Sequence, residues 1–532
     1  MLRSEKGRIK PMETKDSRRR LAYCALFTFI WGMIAHAYGL TNALFSHDSL
    51  NALVANRSEN IWKLQLGRFL VPVYRGVVRG NLAAPWLLGM LALAFIALAV
   101  FLTCEAFEIR SKTAALLLSG IFTANLTVSA LVATYNYEFD VDMLAMLLSV
   151  LSVYLWRKKK FGFLWGALCV AGSLALYQAF ISLALTLCML VGIKLFSQGA
   201  ELKDTLRQGL KAIAMLILGG LLYALVLLCV TKIGGISLRT DTYNGLEQLE
   251  SAGKGGAFRL IIPACVKLFG RYSRQIPAYG KVTEVILNIF VAALGLFLMI
   301  RHLIKARAGR ANIILSALLL LLLPIGINCV YVLDGGLMHD LMAFSSQCLY
   351  VFLIICLFDG KQEGADKTAR LTRMAGTVLL AAVLLGDVCS ANGLYLKKDL
   401  ERQATLSYMT RAVDRIERSE GYERGVTSVA VYGVYEQDAV AGFERYSLVT
   451  GAQNNGAITV PFRKETFDLY KVYFDTILNC DINSCDIDTW WRIINSEELA
   501  QMPSFPSEGC VRYIDGVLTL KMGDRYWRAR YE

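Results

Sequence analysis

Arg18-Arg-Arg-Leu-Ala-Tyr-Cys-Ala-Leu-Phe-Thr-Phe-Ile-Trp-Gly-Met-Ile-Ala-His-Ala-Tyr-Gly-Leu40 sets a cluster of arginines directly against an apolar run. Leu21 to Leu40 is long enough to cross ~30 Å of hydrocarbon as a helix, and the cations before it (Arg3, Lys6, Arg8, Lys10 and Lys15 add to the three arginines) hold the N-terminus on the cytoplasmic side. The run exceeds a signal-peptide core, and Trp31, His36 and Tyr38 leave no small-residue cleavage site, so it reads as a retained first span. Further spans fit near 83–105, 113–134, 140–156, 161–176, 178–196, 212–232, 284–300, 311–333, 341–358 and 375–396, about eleven in all.

Composition agrees. Over 532 residues, 55% are hydrophobic, 19% are charged and nine are proline, with a mean hydropathy of +0.45. These values exclude a water-soluble globule, a disordered chain and a collagen-like repeat, and the continuous apolar runs exclude a barrel of short alternating strands. The net charge of +13 does not imply nucleic acid, because the Lys and Arg gather at span ends. Arg110 and Lys112, Arg157 to Lys160, Lys194 to Lys211, Arg301 to Arg310, and Lys361 to Arg373 fall in alternate loops, while the loops near 135–139, 177 and 334–340 carry no Lys or Arg. With an odd number of spans, this asymmetry sends residues 397–532 to the outer side, together with the long loops 41–82 and 233–282.

The expected organisation is therefore a cytoplasmic segment 1–20, a helical membrane domain 21–396 and a small outer α+β domain 397–532. In the last, Leu400, Ala404, Met409, Ala412 and Ile416 have helical spacing, Val426 to Tyr432 is strand-like, and Val511 to Leu520 alternates around Asp515-Gly516, a hairpin signal. Cys480, Cys485 and Cys510 lie in this domain; a Cys480–Cys485 disulfide and unpaired thiols are both open. All four histidines precede residue 397, so zinc is not expected there.

Two polar clusters can carry chemistry. In the first outer loop, Ser46-His47-Asp48-Ser49 precedes Ile61 to Arg79, whose apolar positions alternate with Lys63, Arg68, Arg75 and Arg79 like an interfacial helix facing anionic headgroups. Asp48 either caps a helix or serves chemistry, and the basic residues meet either bulk phospholipid or a specific lipid phosphate. The second cluster, Tyr135-Asn-Tyr137-Glu138-Phe-Asp140-Val-Asp142, runs straight into the fourth span. The helix dipole accounts for one or two of its three carboxylates. Glu138 and Asp142, four apart, share a face and can activate a hydroxyl, bind sugar hydroxyls, hold a divalent cation, or simply pair with Arg68 or Arg75. Tyr177-Gln178 occupies a turn nearly in the membrane, and His339-Asp340 a similar outer loop; each is either a satisfied polar turn or a site pair. No Walker-type loop, dinucleotide fingerprint or His-Glu-x-x-His is present.

His47-Asp48 after the first span, Gly67-Arg68-Phe69, Tyr135-x-Tyr137-x-Phe139-x-x-Asp142 and Leu176-Tyr177-Gln178-Ala-Phe180 together resemble the Gtr-type bacterial glucosyltransferases, as does the tail Met502-Pro-Ser-Phe-Pro506 before the Val511 hairpin. These are polytopic transferases grouped with the C-type glycosyltransferase fold that modify surface polysaccharides such as O-antigen. The resemblance implies a sugar, glucose in this family, carried on undecaprenyl phosphate and transferred with inversion to a glycan acceptor at the outer face of the bacterial cytoplasmic membrane. It maps the base onto Asp48, with His47 beside it, and the leaving phosphate onto Arg68 or Arg75. Glu138, Asp140, Asp142 and Tyr137 fall to sugar or acceptor hydroxyls, and Tyr177, Gln178 and His339 to the cavity. Phe69 replaces a Trp common in relatives, and His339 stands where an Arg before the tenth span is expected. No redox cofactor is required and a divalent cation is optional. The main alternative is a transporter or flippase for a lipid-linked sugar, which predicts charges deep in several spans rather than at their outer ends.

Overall fold

The computed structural model describes residues 11–46, 49–50, 52–53, 57–80, 82–238, 257–267, 281–336, 338–358, 367–433, 442–443, 446 and 463–524. His47, Asp48 and most of the loop 233–282 lie outside the described residues.

Helices dominate. α1 (Pro11–Thr41) is followed by two short helices, α2 (Arg57–Gln65) and α3 (Leu70–Val78), and by α4 (Pro85–Phe107), α5 (Lys112–Thr123) and α6 (Leu126–Thr134). α7 (Phe139–Lys158), α8 (Gly162–Leu176), α9 (Ile181–Ser197) and α10 (Leu202–Gly234) form the next antiparallel set, then α11 (Ala257–Lys267), α12 (Lys281–Lys305), α13 (Arg310–Ile327), α14 (Cys329–Leu333), α15 (Cys348–Leu357) and α16 (Lys367–Glu417). Among the described residues nine helical stretches are long and apolar enough to cross a membrane, and α8 and the Phe344–Leu357 stretch are shorter apolar helices. The chain is thus a multi-pass membrane protein, and the expected eleven is matched only if both shorter helices cross.

The bundle is built around α5 and α6. The most apolar window of the stretch Lys112–Thr134 is 94% buried, whereas that of α10 is 11% buried. α10 accordingly turns Leu210, Ile213, Ile217, Leu221 and Leu225 outward, the pattern of a lipid-facing helix whose apolar surface needs no protein partner. α7 packs on α4 and α8, α8 on α10, α9 on α13, and α1 on α4, α5 and α16.

Two expected spans are interrupted. The run 113–134 breaks at Asn125, whose Oδ1 accepts from Val128 N at 3.1 Å while its Nδ2 donates to Ile121 O at 2.9 Å, so one side chain ends α5 and starts α6 inside the core. The run 311–333 divides at Asn328, four residues beyond Pro324. The expected interfacial helix over 61–79 is also two helices, with Gly67 at φ +74 between α2 and α3.

α16 is a single helix of 51 residues, about 76 Å long at 1.5 Å per residue. It carries the last apolar stretch and the expected tail helix without a break at 396/397. Its far half joins a four-stranded sheet of order β2-β1-β4-β3, from β1 (Ser428–Tyr432), β2 (Asn483–Ser484), β3 (Val511–Ile514) and β4 (Val517–Lys521), with α17 (Arg463–Thr476), α18 (Ile487–Ile494) and α19 (Glu497–Gln501). β3 and β4 form the expected antiparallel hairpin, and Asp515 (φ 50) and Gly516 (φ 79) supply the left-handed turn. All thirteen cysteines, Cys480, Cys485 and Cys510 included, are free thiols.

The core of this small domain includes Met409, Val429, Phe474 and Leu518, and also Leu50, with Phe45 and Leu53 packed against it. The segment that follows α1 is therefore anchored in the C-terminal domain on both sides of residues 47–48.

Candidate active site

The sequence 135–142 folds as a 3-10 turn, Asn136–Glu138, leading directly into α7. Every side chain from Asn136 to Asp142 is buried, so the three carboxylates there need partners. The helices α2 and α3 supply cations to two of them. Lys63 Nζ and Arg75 Nη2 both lie 2.6 Å from Glu138 Oε1, and all three side chains are at most 5% exposed. Asp140 takes a forked contact from Arg79, Nε to Oδ2 at 2.7 Å and Nη2 to Oδ1 at 3.2 Å, and a 2.9 Å hydrogen bond from the Tyr74 hydroxyl. Burial and the neighbouring Asp140 charge raise the Tyr74 pKa, which keeps this hydroxyl a donor. Arg79 Nη2 also donates to Tyr137 O at 2.5 Å, and the Tyr137 ring faces the Lys63 ammonium and the Arg75 guanidinium at 5.7 and 5.5 Å.

This corrects the expected wet-face role of the basic residues: Lys63 and Arg75 point inward to protein carboxylates, while Ile61, Val73, Val77 and Val78 are exposed. Pairing with Arg75, one of the alternatives open for Glu138, is what forms. Asp142 is held differently. It is 4% exposed, and its Oδ1 has no hydrogen-bond partner.

Arg68, Tyr177 and Gln178 make a second group beside the first. The Arg68 guanidinium lies 4.5 Å over the Tyr177 ring and its Nε donates to Gln178 Oε1 at 3.4 Å. Gln178 Nε2 donates to Leu66 O at 2.8 Å and to the Tyr223 hydroxyl at 3.1 Å, and that hydroxyl donates to Gly67 O at 3.2 Å. A Cβ on Gly67 would stand 2.6 Å from the Tyr223 oxygen. The glycine thus serves both the left-handed turn and the close approach of α10. Phe69 stacks on Tyr223 with ring centroids 5.8 Å apart.

The described residues flanking His47-Asp48 are pinned at the same end of the bundle. Ser46 and Ser49 are fully buried and both hydroxyls donate to Thr134 O, three residues before Tyr137. Lys398 Nζ donates to the adjoining carbonyl, Ala133 O, at 2.6 Å, and Lys397 pairs with Glu401 at 2.6 Å with neither side chain exposed. His339 stands in a separate loop, where Thr127 Oγ1 donates to Asp340 O at 2.7 Å. Among the described residues no group of three or more His, Cys, Asp or Glu side chains is placed to hold a metal ion.

Tyr74, Tyr223, Lys397 and Lys398 were not among the expected site residues, and Lys63 and Arg79 were expected only as basic positions of the interfacial helix. The i, i+4 pair Lys397 and Glu401 was readable as a helical ion pair, but its complete burial was not. Tyr223 lies in an apolar run with no charge beside it, so nothing in the sequence marks it.

The site elements from α2 to α15 fall inside one recognisable stretch. Residues 37–358, about three-fifths of the chain, match the family model described as Glucosyl transferase GtrII. No curated protein and no solved structure matches the chain.

Proposed function

The chain belongs to the GtrII glucosyltransferase family, and from that membership we propose that it moves glucose from a polyprenyl-phosphate donor to a cell-surface glycan, with inversion, at the outer face of a bacterial cytoplasmic membrane. The observation that carries this reading is the gathering of Arg68, Tyr177 and Gln178 beside Lys63, Arg75, Glu138 and Asp142 at one end of the bundle. Polyprenyl phosphate is a good leaving group, so such a transfer needs a base near the acceptor hydroxyl and cations near the departing phosphate.

In this reading Asp48 is the base, Arg68 meets the phosphate through its planar fork, and Arg75 contributes charge while shared with Glu138. Glu138 and Asp140 set the positions of Lys63, Arg75 and Arg79. Asp142, with an open acceptor oxygen, takes a sugar or acceptor hydroxyl; His47, Tyr137 and His339 line the approach. The burial of Ser46 and Ser49 against Thr134 O supports placing Asp48 at this end. The N-terminus is cytoplasmic and the C-terminal domain lies outside, covering the same end of the bundle.

The test is transfer from radiolabelled undecaprenyl-phosphate glucose to crude envelope glycan by protein in proteoliposomes. Wild type is expected to label glycan, and Asp48→Asn to lose transfer while keeping its melting temperature. Movement of the lipid-linked sugar across the bilayer with no label in glycan would replace the transferase by a flippase.

A further inference from the structure

Asp387 sits near the middle of the apolar stretch 375–396 of α16 and is 6% exposed. An ionisable group at that depth turns towards protein rather than lipid. Three helices meet there: α5, α15 and α16 pack on one another in pairs, and their contacts fix the registers. The Phe122 and Phe344 rings stand 5.6 Å apart and Thr127 Oγ1 reaches Asp340 O, so α15 runs antiparallel to α5 and Gln347 is level with Ser119. A Cβ on Gly120 would stand 2.9 Å from Leu384, and the Tyr395 hydroxyl reaches Ser129 O. α16 therefore runs parallel to α5, with Asp387 level with Thr123.

The faces agree with the levels. Gly376, about three turns before Asp387 and so on the same face, meets Leu357 of α15, while Leu384, one turn before Asp387, meets α5. Asp387 is thus directed into the gap between α5 and α15. On α5, Ser119 and Thr123 lie between Gly120, which faces α16, and Phe122, which faces Phe344. Gln347 follows Phe344 by one 3-10 turn and shares its face. Ser119 and Thr123 are fully buried and Gln347 is 1% exposed. Thr103 and Ser129 donate their hydroxyls to a carbonyl one turn back. Ser119 Oγ, Thr123 Oγ1 and Gln347 Oε1 instead have no hydrogen-bond partner among the described residues. Three open oxygens on two helices therefore face one carboxylate, whose roughly four lone-pair sites allow it to serve several contacts at once. One formal charge among neutral oxygens suits a singly charged ion, whereas calcium takes about six to eight oxygens, carboxylates prominent among them.

We propose that Ser119, Thr123, Gln347 and Asp387 form a binding site for an alkali cation, such as sodium, in the core of the bundle. Bound there, the ion ties α5, α15 and α16 together. None of these residues is assigned to sugar transfer, and the site does not depend on the transferase reading.

The experiment uses the full-length protein in detergent, with binding of radiolabelled sodium and thermal melting in sodium, potassium or choline chloride at matched ionic strength. Sodium is expected to bind saturably and to raise the melting temperature above that in choline. Asp387→Asn, equal in size, is expected to weaken binding about tenfold or more, as when a buried charge loses its partner. Ser119→Ala/Thr123→Val removes two hydroxyls and no charge; it is expected to weaken binding as well, and it carries the test should Asp387→Asn fail to fold. Thr103→Val, whose hydroxyl is bonded to Ala99 O, is expected to leave binding unchanged. A response to potassium in place of sodium keeps the cation site with a different ion. No response to either cation over choline, melting that follows pH alone, or undiminished binding in the folded variants overturns the proposal.

Discussion

At Glu138 two cations converge on one carboxylate oxygen in a space that excludes water. Removing the charge with Glu138→Gln strands Lys63 and Arg75, and breaking a buried pair costs about 3–5 kcal/mol, so a large drop in melting temperature is expected in detergent. Asp140→Asn is expected to act in the same way through Arg79 and Tyr74. Asp142→Asn is different: its Oδ1 has no hydrogen-bond partner to lose, so the variant is expected to melt near wild type while losing transfer. Gly67→Ala meets both a left-handed backbone, at about 1–2 kcal/mol, and the Tyr223 hydroxyl; reduced transfer and a lower melting temperature are expected together. The carboxylates themselves were legible in the sequence, because three acids at a span end exceed what a helix dipole needs. Which of them are neutralised was not, since Lys63 and Arg79 reach them from about sixty to seventy-five residues away.

At the scale of elements, local signals were read where a backbone constraint forces them. Asp515-Gly516 supplies the two left-handed residues of a hairpin turn, and β3 and β4 pair around it. Asn125 was missed because apolar residues continue on both sides, and only the fold reveals that one amide ends a helix and begins another. The same limit hid the anchoring of the segment after α1, since Leu50 is spaced far from the domain whose core it enters. Leu50→Ala removes a fully buried side chain there and is expected to destabilise the C-terminal domain by about 2–5 kcal/mol. Limited proteolysis checks this: cleavage after α16 is expected to accelerate in the variant, and equal rates would contradict the anchoring.

At the scale of the molecule, the apolar runs and the alternation of basic loops predicted a multi-pass helical protein, and the nine long apolar helices agree. The length of α16, about 76 Å, exceeds the ~30 Å of a hydrocarbon core, so its second half carries the β-containing domain clear of the bilayer. The basic-loop asymmetry predicts that this domain lies outside. A reporter active only beyond the membrane is expected to signal when fused after Glu417 and to stay silent when fused after Lys305; the reverse pattern would invert the topology.

The central claim is that glucose transfer occurs where Asp142 and Arg68 gather. The most direct measurement is single-turnover transfer from undecaprenyl-phosphate glucose by wild type, Asp142→Asn and Arg68→Gln, each at matched melting temperature. The account predicts labelled glycan from wild type and a loss of about a hundredfold or more in each variant, as when a group that stabilises the transition state is removed. Wild-type rates in both folded variants would contradict it.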